Sequence, residues 1–357
     1  MSSHAKLKIY IVDHAPVLGG VEVFVNDLVE AVDQNKFDLT LITDSSTCVK
    51  FRGKVIKIDL PRLRNNWIQT ITAGIRLAKT IHDADVVMTT TARMHLVGAV
   101  AATLARKPLI WRMCDVTLPR RLARLFSPIP KFFLPVTNFI ANTCSPDLKR
   151  TIVIPDGVRD EGVISDEERR EARTHFGFDD DHVVALMLAR LVRAKGCDIF
   201  AQAIMQCDDR VIGLIVGGDD ESEGLLGGHG LRRELERFGS RVRLLGHRDD
   251  VRRLFAASDL FVNASIFPEG MGRALMEAQM AGLPLIASHI GGIPEIIGDT
   301  GILIAPNNVE ALAQAVMIDS STRKSLGEAG RRRALENFQL APVARRFEKV
   351  WHEAAGV

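Results

Sequence analysis

Twelve short apolar runs, each followed by a stretch long enough for a helix or crossover, constrain this 357-residue chain more than any other feature. The first six are KIYIVD (8–13), DLTLIT (38–43), KVIKID (54–59), DVVMTT (85–90), PLIWRM (108–113) and NFIANT (138–143). The second six are HVVALMLA (182–189), VIGLIVGG (211–218), RVRLLG (241–246), LFVNAS (260–265), PLIAS (284–288) and GILIAP (301–306). Unbroken short apolar runs suit strands covered on both faces, and such strands belong to parallel sheets joined by helical crossovers. Between the two series, IVIPDGVRDEGVISDEERREARTHFG (152–177) is marked by proline and glycine and then becomes strongly charged, a linker followed by an exposed helix. The chain therefore reads as α/β, with two doubly wound domains at 1–155 and 156–339 and a terminal helix near 340–357 returning to the first. Facing strand C-termini would frame a cleft, where sheets of this kind bind ligands.

Bulk properties narrow the function. Lys and Arg (46) nearly cancel Asp and Glu (44), which leaves no field for nucleic acid. The five cysteines, at 48, 114, 144, 197 and 207, form no C-x-x-C pair and no zinc-ligand spacing, so reduced thiols and no metal are expected. The N-terminal apolar run is too short for a signal peptide, and no stretch approaches the roughly 20 apolar residues of a membrane span. A cytoplasmic protein is the expectation.

The richest motif is FPEGMGRALMEAQMAGLPLIAS (267–288). Glu269 falls in a loop, Glu277 falls about two turns into the following helix, and Gly282 and Pro284 end that helix. A glycine-lined helix start suits an anion, usually phosphate. Carboxylates beside it accept hydrogen bonds from hydroxyls, which phosphate lacks, and phosphate plus polyol describes a nucleotide sugar. Arg190 and Lys195 occupy the turn after the second domain's first strand, where two cations can hold a diphosphate; a solvated loop fits them equally well. Gly19 and Gly20 precede the first helix, where backbone can approach a ligand, although an ordinary tight turn has the same look. Neither this pair nor the Gly217–Gly218 stretch matches a dinucleotide or P-loop fingerprint. Asp179–Asp181 reads as a solvated turn and Glu295 as a helix cap. His14 and Asp115, each at a strand end, are candidates to touch an acceptor hydroxyl; His95 opens an apolar helical run.

Taken in order, GGVE (19–22), PDGV (155–158), R-x-x-x-x-K-G (190–196), LGHRDDV (245–251), Glu269-x7-Glu277, GGIPEII (291–297) and TGILIAPNNVEALAQAV (300–316) resemble the retaining glycosyltransferases of family four. These belong to glycosyl transferases group 1 and have the GT-B fold, two Rossmann-like domains facing across a cleft. The resemblance covers nearly all of the second half and the first half more thinly. It implies transfer of a sugar from a nucleotide diphosphate sugar, first of all a UDP-sugar, to an acceptor hydroxyl with retained configuration, in glycan, glycolipid or glycosylated-metabolite synthesis. Glu277 would hold the ribose and Glu269 would face the donor sugar, with the Gly270, Met271 and Gly272 amides against sugar and phosphates. Arg190 and Lys195 would neutralise the leaving diphosphate, Gly19–Gly20 would close on it, and His247 and Arg248 would border the base. No cofactor or metal is implied. The chain departs from its relatives in reading Cys114-Asp115 where a His-Asp pair is common, and Asp156 where asparagine is common. Asp115 is carried as a catalytic candidate, and no histidine is.

Other chemistries remain open on the same fold: a sugar phosphorylase, a nucleotide-sugar epimerase, or a non-catalytic nucleotide-sugar-binding protein. The segment PRRLARLFSPIPKFFLP (119–135) interleaves cations with Leu and Phe. It fits either a peripheral contact with the inner face of a membrane bearing a lipid-linked acceptor or a covered surface loop.

Overall fold

The computed structural model describes residues 5–14, 19–45, 51–60, 67–220, 222–224 and 226–357; Cys48 lies outside them. The chain divides into two compact units, Met1–Val158 with Phe338–Val357, and Arg159–Asn337.

The first unit runs β1 (Leu7–Val12), α1 (Gly20–Ala31), β2 (Phe37–Asp44), β3 (Lys54–Ile58), α2 (Trp67–Thr80), β4 (Val86–Thr89) and α3 (Ala92–Ala105). It continues through β5 (Leu109–Met113), α4 (Arg120–Phe126), β6 (Phe132–Pro135) and α5 (Asn138–Cys144). The strands form one parallel sheet in the order β3-β2-β1-β4-β5-β6. β4 and β5 are buried along their whole length, which is why their sequences show no polar alternation.

One element departs from the sequence reading. NFIANT is not a strand but most of α5, started by Thr137, whose hydroxyl accepts from the Ile140 amide. Ile140, Ala141 and Cys144 are its buried stripe, at helical spacing. The sixth strand is instead FFLP of β6, whose Phe133 and Leu134 are fully buried beside β5. Hence the 119–135 segment is neither one amphipathic stretch nor one loop: its first part is α4 and its last part is core.

The second unit contains α6 (Asp166–Phe176), β7 (Val183–Leu188), α7 (Cys197–Gln206), β8 (Val211–Val216), α8 (Leu231–Leu235), β9 (Val242–Gly246) and α9 (Val251–Ala257). β10 (Leu260–Asn263), α10 (Arg273–Met280), β11 (Leu285–Ser288), α11 (Ile293–Ile297), β12 (Gly301–Ile304), α12 (Val309–Val316) and α13 (Ser320–Asn337) follow. Its sheet, β12-β11-β10-β7-β8-β9, repeats the first unit's order. In both, the first strand of the unit is flanked by its second and fourth, so the direction of winding reverses there. Ligands of such sheets bind at the strand C-termini beside that reversal. In the second unit it lies between β7 and β10.

The last helix, α14 (Leu340–Ala355), belongs to the first unit. Val343, Phe347, Val350, Trp351 and Ala354 form its buried stripe and share a core with Ile9, Phe24 and Leu28. Gly157 makes room for it: a Cβ there would come within 2.7 Å of Leu340 Cα. Beneath this helix Arg112 of β5 forms a buried ion pair with Asp156 at 2.5 Å and lies 5.1 Å from the Phe347 ring centroid. Asp156 thus has a structural partner in Arg112. Among the described residues no helix is long and apolar enough to cross a membrane.

Candidate functional site

At the β7–β10 reversal the structure joins residues that are 74 positions apart: Lys195 Nζ lies 2.7 Å from Glu269 Oε2, with side chains 28% and 14% exposed. Lys195 closes a 3-10 turn (Arg193–Lys195) directly after β7. Gly196 ends that turn at φ +69°, and a Cβ there would come within 2.0 Å of the Ala264 carbonyl oxygen. Only glycine combines that backbone conformation with so close an approach to the end of β10. The Ile266 amide donates to the Ala194 carbonyl at 3.0 Å, stitching the two strand ends together.

Glu269 is held from several sides. Asn263 Nδ2 donates to its Oε1 at 3.2 Å, and the Ser265 hydroxyl donates to the same oxygen. Its carbonyl accepts from the Gly292 amide at 2.9 Å. Gly291, at φ +62°, would bring a Cβ within 2.4 Å of that carbonyl oxygen, so the GGIP turn is fitted to the Glu269 backbone. Burial alone pushes the Glu269 carboxyl up, but Lys195, Ser265 and Asn263 together outweigh it and hold it below the ordinary glutamate value. The carboxylate is therefore ionised and fixed in direction.

Arg190 stands at the other side of the same turn and pairs with Asp220 at 2.5 Å. Glu277 is the fifth residue of α10, one turn into the helix rather than two, and accepts from Arg273 Nε at 2.7 Å. Gly270, Met271 and Gly272 lead into α10, with Gly272 as its N-cap, so the positive end of the helix dipole points at this loop. His247 lies exposed beside Asp249, and Arg248 pairs with Asp250 at 2.6 Å while lying 5.2 Å from the Phe176 ring centroid. Arg248 is thus engaged in packing the β9–α9 turn. Asn263, Ser265, Asp220 and Arg273 are the residues that sequence reasoning missed. A signal existed for two of them: Asn263 and Ser265 alternate at a strand end and so share a face.

In the first unit, Gly19 is the N-cap of α1 and its amide donates to Glu22 Oε2 at 2.8 Å. Asp115 follows β5, exposed, and accepts from the Thr117 amide at 2.8 Å, a local turn. His14 follows β1, where Arg93 Nη1 lies 2.7 Å from its Nε2. An arginine can only donate, so Nε2 accepts and the imidazole is neutral. Burial first and Arg93 second push its pKa down, consistent with that state. Beside it Asp13 accepts from the Thr90 hydroxyl at 2.9 Å, and the buried Glu22 carboxyl is raised to about 7 by burial and by Asp13. His95 is a core residue, 2.7 Å from the Thr89 hydroxyl and stacked on Trp111.

Known proteins share this framework. The chain is 28% identical over 203 residues to N-acetyl-alpha-D-glucosaminyl L-malate synthase of Bacillus anthracis, covering 54% of this chain and 51% of that protein. It is 25% identical over 381 residues to the Escherichia coli UDP-Gal:alpha-D-GlcNAc-diphosphoundecaprenol alpha-1,3-galactosyltransferase, covering 98% and 97%. The chain thus spans about half the length of the first curated relatives it matches and nearly all of the E. coli protein. Anabaena HepE, solved with UDP and glucose, superposes with a TM-score of 0.82 over 96% of this chain and 99% of its own, at 22% identity, a likeness of fold. Residues 182–318, which hold Arg190, Lys195, Glu269 and Glu277, match the family model of the glycosyl transferases group 1, and the chain has the GT-B fold.

Proposed function

We propose that the chain transfers a sugar from a nucleotide diphosphate sugar to an acceptor hydroxyl with retained configuration, and that the β7–β10 strand ends hold the donor. The observation that carries this reading is the Lys195–Glu269 pair at the sheet's reversal, with Arg190 on the same turn. Glycosidases retain configuration with a carboxylate nucleophile. Here Glu269 is already committed to Lys195, Asn263 and Ser265, which suits a carboxylate that orients sugar hydroxyls. In the proposed step the bond from C1 to the phosphate oxygen breaks and the bond from C1 to the acceptor oxygen forms on the same face. The departing phosphate oxygen takes the acceptor's proton. Lys195 and Arg190 stabilise the charge that gathers on the diphosphate, the kind of preorganised electrostatics worth roughly 2.7–4 kcal/mol per group. Because these side chains supply the positive charge, no metal is needed, and turnover should persist in excess EDTA.

Glu277 would take the ribose hydroxyls, and UDP is the first nucleotide to test because the E. coli relative's name carries it. Titration calorimetry with UDP, GDP and ADP tests the site. One of them should bind wild type and bind Glu277→Ala at least tenfold more weakly; equal affinity removes Glu277 from the site.

The acceptor is proposed to be lipid-linked, reached by peripheral contact with an anionic membrane. Support comes from α2, which exposes Trp67, Ile68, Ile71 and Ile75 on one face, and from Leu125 and Arg124 on α4. Trp67 stacks on Phe126 of α4 at 6.2 Å, which makes the two helices one patch. Wild type should sediment with phosphatidylglycerol vesicles and not with phosphatidylcholine vesicles, and Ile68→Glu/Ile71→Glu should remain in the supernatant. Equal partition of both proteins would remove the membrane from the account.

A further inference from the structure

Arg190 has a counter-ion of its own. The Asp220 carboxylate lies 2.5 Å from it and is only 15% exposed, whereas the Arg190 side chain is 58% exposed. Asp220 is fixed where it stands, since its Oδ1 accepts from the Ser222 amide at 2.9 Å. The loop that carries it is tied by backbone to the Arg190 turn. Leu191 donates to Gly218 at 3.0 Å, Arg193 to Gly227 at 3.0 Å and Ala194 to Leu226 at 3.2 Å. Gly228 wedges between them, with a Cβ there 2.1 Å from the carbonyl oxygens of both Leu191 and Asp220. The hydrogen bond from Ser222, with Arg190 beside it, keeps the carboxyl below the ordinary aspartate value, so it carries its charge throughout neutral pH. Of the two partners, only the arginine side chain is free to turn.

We propose that Asp220 is a positioning residue that competes with the donor diphosphate for Arg190, weakening the grip on the nucleoside diphosphate and so speeding its release. Lys195 differs in kind, because its partner Glu269 is itself placed toward the donor. Asp220 has no such second task, and its charge opposes the ligand's. An exposed arginine–carboxylate pair is worth up to about 1 kcal/mol. Removing the competing charge should therefore tighten diphosphate binding about fivefold.

The inference rests on the donor-site reading above, and the experiment separates the two. UDP, GDP and ADP are titrated calorimetrically into wild type, and the tightest binder is then used with Asp220→Asn, Arg190→Ala and the double variant. Asparagine keeps the size of the side chain and the oxygen that accepts from Ser222, while the amide that replaces the oxygen facing Arg190 offers the guanidinium neither charge nor acceptor. Asp220→Asn is expected to bind the diphosphate about fivefold tighter while binding of the parent nucleoside is unchanged. In the Arg190→Ala background the same substitution should change nothing. Unchanged or weaker binding by Asp220→Asn, or an equal gain without Arg190, overturns the counter-ion role. If Arg190→Ala binds the diphosphate as wild type does, or if none of the three nucleotides binds, the donor-site reading fails and takes this inference with it.

Discussion

Lys195 and Glu269 show how much a single pair can carry. Each would be costly to bury alone, and together they fix one ammonium and one carboxylate at a sheet reversal. Lys195→Ala should lower kcat about 100-fold, the scale set by removing one preorganised charge donor; steady-state kinetics at saturating donor gives the number. Glu22 behaves in the opposite sense. Its folded pKa, about 7, lies above the ordinary glutamate value, so its contribution to stability is full below about pH 4.5 and is lost as pH rises through 7. Glu22→Gln keeps an acceptor for the Gly19 amide without the charge. It should therefore gain on wild type by roughly 1–3 kcal/mol between pH 5 and pH 8 in urea unfolding. An identical pH dependence in the two proteins would remove the buried charge as its cause. Glu269, Glu277, Arg190 and Lys195 could be picked out from the sequence because each stands next to a recognisable strand or helix boundary. Asp220, Asn263 and Ser265 could not be assigned partners, because pairing depends on β7 lying between β10 and β8. Nothing local in the sequence states that order.

At the scale of elements, eleven of the twelve apolar runs mark strands, and the exception is instructive. NFIANT has too few apolar residues to separate a two-residue from a 3.6-residue period, and Thr137 decides it by capping a helix. FFLP was hidden because its neighbours, prolines and cations, suggested a surface. Thr137→Ala should cost about 1 kcal/mol in urea unfolding, the usual value of a lost N-cap. The Lys195 turn is far less tolerant. Gly196→Ala places a Cβ against the Ala264 carbonyl in a left-handed conformation, so β7 and β10 can no longer meet as they do. It should lower the melting temperature and abolish nucleoside diphosphate binding together. A variant that melts normally and binds normally would mean that the turn is not built around this glycine.

For the whole molecule, two doubly wound α/β units were legible from the two series of strands, because parallel strands with helical crossovers leave few alternatives, whereas the strand order within each sheet was not. The return of the terminal helix is a matter of core. Without residues 338–357 the first unit loses Phe347, Val350 and Trp351 from beneath its sheet. A chain ending at Asn337 should lose the first unit's calorimetric transition and keep the second's, since all of β7–β12 remains. The first unit's polar cluster was least legible: His14, Arg93, Asp13 and Glu22 come together through β1–β4 pairing, and no spacing in the sequence announces it. The central claim, that the β7–β10 strand ends activate a nucleotide sugar, is tested most directly by the rate of nucleoside diphosphate release from nucleotide sugars. Wild type should release it, and Lys195→Ala should do so about 100-fold more slowly; equal rates, or no release by wild type from any UDP-, GDP- or ADP-sugar, would contradict it.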